Sequence, residues 1–370
     1  MIPAQQRNDA GATANGAAEA RAGAATAVEA AQPDAAVATE GADTTADAVN
    51  AAEESAVAGE SALHPEPGAA PRPASASSRL MLLRAMVREA RPKQWVKNAL
   101  VLTAPLAAGR IDQAATLGAT AIAFAAFCLA AAAVYYANDA LDVEADRVHP
   151  KKRHRPIAAG LIPIPLAWGT VAVLSVAALG VAATATPATA AVIAVYLAMH
   201  LSYSAWFKHI LVLDLALVAA GFLLRAMIGG VAAHIPLSQW FLLTTGFGSL
   251  FMVAGKRYSE MVLMGEAAAA TRKSLAAYSE SYLRFVWQMA AGLTILTYSL
   301  WAFNLGQNES GINWHEISIV PWCFLFLRYA MFVDDGRAGE PEDVVLGDRV
   351  ITAIAAVWLV CFALGVFNGR

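Results

Sequence analysis

Residues 113–136 read QAATLGATAIAFAAFCLAAAAVYY, and residues 137–160 continue as ANDALDVEADRVHPKKRHRPIAAG. The first segment carries no charge and is long enough to cross a bilayer as a helix, because a span needs about 20 apolar residues. The second segment is crowded with acids and bases, which are costly to place in hydrocarbon. Together the two segments predict a transmembrane helix that ends in a charged loop at one membrane surface.

The same apolar character extends through the chain of 370 residues, which is 58% hydrophobic and only 15% charged. In a soluble globular protein roughly a quarter of all residues would be charged, so lipid is the expected solvent. Nine apolar runs are candidate spans, at about residues 98–109, 113–136, 161–182, 187–206, 210–232, 240–255, 284–304, 317–333 and 350–367. The first and sixth runs are short. The prediction is an all-α integral membrane protein, a bundle of about nine transmembrane helices.

Residues 1–78 have a different composition, rich in Ala, Gly, Thr, acids and Pro and almost devoid of large apolar side chains. Within residues 1–70 there are 11 acids and 2 Lys or Arg, so the rest of the chain is basic. Such a segment cannot bury enough apolar surface to offset the entropy of ordering it. We predict a disordered, alanine-rich tail at 1–78 and a membrane domain at 79–370. A signal peptide is not expected, because no basic segment followed by a leucine-rich core stands near Met1.

The distribution of Lys and Arg among short loops predicts the orientation of the chain. Residues 79–97 form a basic amphipathic stretch that is typical of a helix lying on the inner membrane surface. The loops at 138–160 and 256–284 are charged, whereas those at 184–187 and 233–239 are nearly bare. The charged loops and the N-terminus are therefore predicted to be cytoplasmic, with the active-site loops among them.

Three aspartates follow the second predicted span. If its helix continues past the membrane boundary, Asp139, Asp142 and Asp146 lie at i, i+3 and i+7 on one face, with Asn138 one turn before Asp142. Like charges this close repel unless a cation neutralises them, and oxygen ligands of this kind suit Mg²⁺, which usually also binds water and substrate phosphate. These four residues are the predicted metal ligands. A solvated acidic helix end, balanced by the basic residues that follow, is the alternative interpretation.

The pattern NDxxDxxxD at 138–146, followed by RPIAxG at 155–160, resembles the first signature of the UbiA-type polyprenyl transferase superfamily. In that family the motif holds Mg²⁺ against a diphosphate, and nine spans are usual. The resemblance covers essentially residues 79–370. It implies a UbiA-type transmembrane prenyltransferase domain whose cofactor is Mg²⁺.

Four further strings resemble one branch of the superfamily, the decaprenyl-phosphate phosphoribosyltransferases. They are RPKQWVKN at 91–98, YSAWFKHILVLD at 203–214, GKRYSE at 255–260, and RY…PEDVVLGDR at 328–349. The resemblance implies phosphoribosyl pyrophosphate as donor, a polyprenyl phosphate lipid as acceptor and diphosphate as the second product. It also implies a multi-pass enzyme of the bacterial cytoplasmic membrane that serves the synthesis of a cell-envelope arabinan precursor.

The residues expected to contact these anions directly are basic or can donate a hydrogen bond, whereas the aspartates are expected to act through the metal ion. The expected catalytic residues are Asp139, Asp142, Tyr203 and Lys208. The expected substrate-binding residues are Lys93, Lys97, Lys152, Arg155, Lys256 and Arg257. Headgroup anchoring is the alternative for Lys93 and Lys97, and a role in topology only is the alternative for Lys256 and Arg257.

Two ionisable residues lie inside the fifth apolar run, and such residues are functional candidates. Asp214 and Arg225 are separated by about three helical turns, so they share one face, which we expect to be interior. Asp214 is near the cytoplasmic end and could reach the site. Arg225 lies deeper and is expected to have a structural role.

Two other functions compete with this one. UbiA-type transfer of a polyprenyl group from its diphosphate to an aromatic or other small acceptor is the alternative reaction, but it normally uses a second aspartate-rich motif. The corresponding loop here, from Gly255, carries Lys256, Arg257 and Glu260 instead. A transporter would show inverted repeats and broken helices near mid-membrane, whereas these charges gather at one surface. No nucleic-acid partner is expected, and a homo-oligomer is left open.

Overall fold

The computed structural model describes residues 76–264, 277–306 and 312–368. Every regular element in these ranges is helical, and no strand occurs in them. The α-helices, in chain order, are α1 (Ala76–Glu89), α2 (Thr103–Ala107), α3 (Ala114–Leu141), α4 (Val143–Val148), α5 (Ile164–Ala185), α6 (Pro187–Ala205), α7 (Leu213–Ala232), α8 (Gln239–Met264), α9 (Glu280–Gly306), α10 (Trp314–Ile317), α11 (Ile319–Asp334), α12 (Pro341–Gly347) and α13 (Arg349–Asn368). Short 3₁₀ helices occupy Pro92–Leu102, Lys152–His154 and Phe207–His209.

The predicted all-α class is confirmed. The predicted disordered tail at 1–78 lies outside the described residues, except for its last three residues, which begin α1. The tail and the domain boundary at residue 79 therefore stay predictions.

Within the described ranges, six helical segments are long and apolar enough to cross a membrane. They are α3, α5, α6, α7, the segment Trp314–Asp334 that contains α10 and α11, and α13. The chain is thus a multi-pass membrane protein.

The predicted count of nine spans is not confirmed. Helices α8 and α9 have 26 and 27 residues, about 40 Å each at 1.5 Å per residue, but they are not among the six apolar spans. The first predicted run, 98–109, is divided between a 3₁₀ helix and the short α2.

Helix α3 packs against α5, α6 and α7 through a face of small side chains. Ala123, Ala126, Ala130 and Ala133 recur every three or four residues and are buried. In lipid, close approach of small residues is a main source of helix–helix attraction, because the lipid chains are as apolar as the side chains. The alanine-rich composition of residues 113–136 thus allows α3 to pack closely against its neighbours.

Helix α7 links the two main core clusters. Its first half, with Leu215, packs with α8 and α9, and its second half, with Ile228, packs with α3 and α6. At Gly229 a Cβ would lie 1.9 Å from the carbonyl oxygen of Val101. Glycine is therefore required there for the 3₁₀ helix Pro92–Leu102 to lie against α7.

The helix of the aspartate motif is not continuous. It ends at Leu141, and Asp142 adopts φ −94° and ψ 8° before α4 begins. The backbone N–H of Asp142 still donates to the carbonyl oxygen of Asn138 at 3.0 Å, and that of Asp146 to the carbonyl oxygen of Asp142 at 2.8 Å. The i to i+4 hydrogen bonds thus persist across the break, and the predicted spacing of the aspartates is largely retained.

Candidate active site

Asp139 and Asp146 are buried carboxylates joined by one arginine. Asp139 is 1% exposed. Nη1 of Arg155 donates to Oδ1 of Asp139 at 3.0 Å and to Oδ2 of Asp146 at 2.6 Å. Arg91 donates to the other oxygen of Asp139, and Nδ2 of Asn138 lies 3.4 Å from its Oδ1. Burial raises the pKa of Asp146, and the charge of Arg155 opposes that shift.

Asp142 is paired with a cation from a different part of the chain. Its side chain is 29% exposed and accepts a hydrogen bond from Nζ of Lys208. Lys208 belongs to the 3₁₀ helix that follows α6, so this contact joins the ends of α3 and α6. The structure therefore brings the predicted Asp142 and Lys208 together. We call Asp139, Asp142 and Asp146 the aspartate cluster.

A second ionic group surrounds Arg257, which is 8% exposed on α8. Its Nε lies 3.7 Å from Oδ2 of Asp214, and its Nη1 lies 3.6 Å from Glu260. The phenol of Tyr203 faces the same guanidinium. We call Arg257, Asp214 and Tyr203 the arginine cluster. Two predicted candidates, Tyr203 and Arg257, therefore lie together, and Asp214 joins them.

Tyr278 fixes the start of α7 beside the arginine cluster. Its hydroxyl donates to Oδ1 of Asp214 and accepts the backbone N–H of Val212 at 2.7 Å. Burial and the bond to Asp214 raise the pKa of the Tyr278 phenol. Val212 has φ 69°, in the left-handed region, which is rare for a β-branched residue. Such strain persists only where surrounding contacts hold it.

Lys152 and Lys256 lie between charged neighbours. Lys152 acts electrostatically on both Asp146 and Glu260, so the loop after α4 approaches the end of α8. Nζ of Lys256 is 3.1 Å from Glu340 and 3.9 Å from Glu260. Lys152 therefore lies near the aspartate motif, whereas Lys256 lies in an ion pair at the surface.

Lys93 and Lys97 are in a different setting. Lys93 is exposed on the 3₁₀ helix Pro92–Leu102. Lys97 borders an apolar groove of about 510 Å³ whose other lining residues are Val96, Ala99, Leu100, Pro341, Val345 and Leu346. The groove lining includes no residue of the aspartate cluster.

Sequence reasoning missed two residues beside Asp139. Glu89 ends α1, is 1% exposed, and points its carboxyl group at the carboxyl group of Asp139. Burial, and then its contact with Asp139, raise the pKa of Glu89 to about 8. Arg91 has φ 51° and its guanidinium lies 4.9 Å from the ring centre of Tyr135. One signal was available, because Glu89 is the single acid in the basic stretch 79–97.

Arg225 lies deeper in the bundle, and both it and Asp214 are buried, as predicted for an interior face. Its Nε donates to Asn98 at 2.9 Å and its Nη2 to the hydroxyl of Tyr196 at 3.1 Å. Its guanidinium also lies 5.2 Å from the ring centre of Phe127. These contacts tie α7 to α3, α6 and the 3₁₀ helix, in agreement with the expected structural role.

The oxygen donors around Asp139 are the kind that a hard divalent cation prefers. Within the described residues, no three acidic, histidine or cysteine side chains stand close enough to hold an ion by themselves. Mg²⁺ commonly takes only one or two protein carboxylates and completes its shell with water and substrate phosphate. The site can therefore hold an ion jointly with a phosphorylated substrate.

Comparison with known proteins gives concordant results. Residues 99–345 match the model of the UbiA prenyltransferase family. The decaprenyl-phosphate phosphoribosyltransferase of Corynebacterium glutamicum is 50% identical over 291 residues, which cover 77% of this chain and 88% of the relative. The enzyme of the same name from Mycobacterium tuberculosis strain H37Rv is 50% identical over 292 residues, covering 78% of this chain and 96% of that one.

Solved structures agree on the fold. A UbiA homologue from Archaeoglobus fulgidus, bound to GPP and Mg²⁺, superposes with a TM-score of 0.58 at 14% identity, covering 77% of this chain and 99% of that one. A digeranylgeranylglyceryl phosphate synthase gives a TM-score of 0.58 at 15% identity, covering 77% and 98% of the two chains.

Proposed function

The chain belongs to the UbiA prenyltransferase family, and we propose that it transfers 5-phosphoribose from phosphoribosyl pyrophosphate to decaprenyl phosphate, with release of diphosphate. The observation that carries this proposal is the 50% identity to two decaprenyl-phosphate phosphoribosyltransferases over most of each chain. The enzyme is thus a transferase whose acceptor is a lipid and whose donor is water-soluble.

The reaction forms a bond between an acceptor phosphate oxygen and C1 of the ribose, while the bond from C1 to the diphosphate oxygen breaks. The bonding electrons leave with the diphosphate. The acceptor oxygen is already anionic, so the reaction needs little general-base help. Catalysis then consists mainly of placing two anions and stabilising the charge on the departing one.

Mg²⁺ is the proposed cofactor, and the donor set of the aspartate cluster fits it. Asn138, Asp139, Asp142 and Asp146 offer only oxygen ligands if the amide of Asn138 turns its oxygen inward, and Asp139 and Asp146 are buried beside Arg155. When bound, the ion would supply positive charge against the diphosphate. The side chain of Arg155 is 26% exposed, so it can also turn a donor towards a phosphate oxygen.

The arginine cluster supports the handling of a second phosphate group. Arg257 has a distant ion pair with Asp214 at 3.7 Å, and its Nε has no hydrogen-bond acceptor among the described residues. A guanidinium in that state retains donors for an anion. We assign Arg257 and Tyr203 to binding the phosphate of the donor or of the acceptor, with Lys152 between the two clusters.

We place the enzyme in the bacterial cytoplasmic membrane, with the N-terminus and both clusters on the cytoplasmic side. The clusters of Lys and Arg in the segments 138–160 and 256–284 support this orientation through the positive-inside rule.

The test is a membrane assay with purified protein, Mg²⁺, decaprenyl phosphate and radiolabelled phosphoribosyl pyrophosphate. We expect labelled lipid from the parent and a loss of at least about tenfold with Asp142→Asn. The matched control is Glu144→Gln, which removes an exposed acid two residues away and should leave activity unchanged. The protein would be assigned to the alternative reaction if the parent made no labelled lipid but transferred a prenyl group from decaprenyl diphosphate to an aromatic acceptor.

A further inference from the structure

Glu89 is a buried acid with no basic partner in direct contact among the described residues. It is 1% exposed, and among the described residues neither of its carboxyl oxygens accepts a hydrogen bond. The backbone N–H of Ile157 is near, but outside hydrogen-bond geometry. A buried carboxyl group without a basic partner keeps its proton unless a cation takes the place of that proton.

The direction of the Glu89 side chain is specific. Its carboxyl group meets that of Asp139, close enough for the two groups to share a proton. Two carboxyl groups in contact need a shared proton or a cation between them. Each residue of the aspartate cluster has a basic partner in direct contact, through Arg91, Arg155 or Lys208. Glu89 is the fourth carboxylate and has no such partner within the described ranges.

Helix α1 is arranged to deliver this side chain. Leu80, Leu83 and Val87 are at least half exposed on one face, where they can meet the membrane, whereas Ala85 and Glu89 are buried, one turn apart. Helix α1 thus has an apolar face that points outward and an opposite, buried face that carries Glu89.

The end of α1 is also tied to the motif helix. The hydroxyl of Tyr136 donates to the carbonyl oxygen of Met86 at 2.8 Å. Tyr136 stands one turn before Asp139 on α3, so the contact fixes the level at which Glu89 meets Asp139.

We propose that Glu89 is a further ligand of the divalent metal site. Helix α1, at the membrane surface, places this side chain beside Asp139. The inference rests on the metal site proposed above and adds a residue from outside the aspartate motif. The metal site then includes the interfacial helix, so metal binding and the docking of α1 stabilise each other.

The experiment measures Mn²⁺ binding, without substrate, to the full-length protein in detergent by the electron paramagnetic resonance signal of free Mn²⁺. Asp139→Asn defines the specific site. Glu89→Gln keeps the size of the side chain and should weaken Mn²⁺ binding by about tenfold or more. Glu144→Gln, the exposed control, should stay within about twofold of the parent.

A thermal melt separates this role from a structural one. Glu89→Gln removes the contact between two acids, so its Tm without metal should equal or exceed that of the parent, while the rise in Tm caused by Mn²⁺ should shrink. The proposal would be overturned if Mn²⁺ raised the Tm of Glu89→Gln as much as that of the parent. It would also be overturned if Glu89→Gln bound Mn²⁺ as tightly as the parent while Asp139→Asn bound it more weakly, or if the parent had no saturable Mn²⁺ site. Mn²⁺ binding through Glu89 without phosphoribosyl transfer would reject the reaction and leave this inference standing.

Discussion

The aspartate cluster and the arginine cluster lie at the ends of neighbouring helices but are built in opposite ways. In the first, Asp139 and Asp146 are buried and their cationic partner, Arg155, is partly exposed. In the second, the cation Arg257 is itself buried and has a loose ion pair with Asp214. Buried acids favour a metal and its diphosphate, whereas a buried arginine favours an anion. The difference explains how one site could handle two phosphorylated substrates.

The largest effect is expected at Asp139, the most buried acid of the aspartate cluster. Asp139→Asn keeps the shape of the side chain but removes the charge that Arg91 and Arg155 contact. We expect phosphoribosyl transfer to fall by about 100-fold. Initial rates of labelled-lipid formation at saturating donor provide the measurement. If Asp139→Asn kept more than half of the parent rate, the buried acid would not be essential for the activity of the aspartate cluster.

Arg155→Gln tests the stability of the same cluster. It leaves Asp139 and Asp146 without the guanidinium that bridges them. Because Arg155 is about a quarter exposed, we expect the free energy of unfolding to fall by about 2 kcal/mol. Removing one partner of a fully buried ion pair typically costs more, about 3–5 kcal/mol. Unfolding in a detergent titration, with Arg147→Gln as the exposed control, measures it. Equal stability of the two variants would contradict the bridge.

Arg257 and its sequence neighbour Lys256 form a matched pair for the arginine cluster. Arg257→Gln should raise the KM of an anionic substrate by about tenfold, since a hydrogen bond to a charged group is worth about 1.5 kcal/mol or more. Lys256→Gln should change KM by less than about twofold, because its charge is engaged by surface carboxylates. Steady-state kinetics with each substrate varied in turn would identify the phosphate concerned. The reverse ranking would move the anion site to the surface.

The smallest effect is expected at a partly exposed pair that serves as a reference for both clusters. Asp348 accepts from Arg328 at 2.8 Å and from the backbone N–H of Ile351 at 2.7 Å. The bond from Arg328 lowers the pKa of Asp348. A carboxyl group whose pKa is lower in the folded state stabilises the protein above its unfolded pKa of about 3.9, and this contribution is lost as the pH falls further.

Asp348→Asn should therefore lower Tm slightly at pH 7, and the difference from the parent should shrink as the pH falls below about 4. Thermal melts across this range make the measurement. A difference that grows in acid would reverse the sign of the expected linkage.

Much of the fold follows from local pattern. The apolar run 113–136 became α3, and the later runs gave α5, α6, α7 and α13. The count of spans was harder to predict. Helices α8 and α9 are interrupted by polar residues, and the first run is partly 3₁₀, so length and hydropathy alone do not classify them.

For the site, the sequence by itself determined the motif 138–146, because its spacing depends on local i to i+4 hydrogen bonds, which continue across the break at Asp142. The sequence also indicated Lys208, at the end of a predicted hairpin of spans, and Arg257, in a predicted loop after the sixth apolar run, although Arg257 lies within α8. Only the tertiary structure decided the pairings, such as Lys208 with Asp142, 66 positions apart, and Glu89 with Asp139, 50 positions apart. Helical periodicity is set within a few residues, whereas these contacts depend on how separate helices pack. Helix packing is fixed by the shapes of many side chains at once, and no local pattern encodes it.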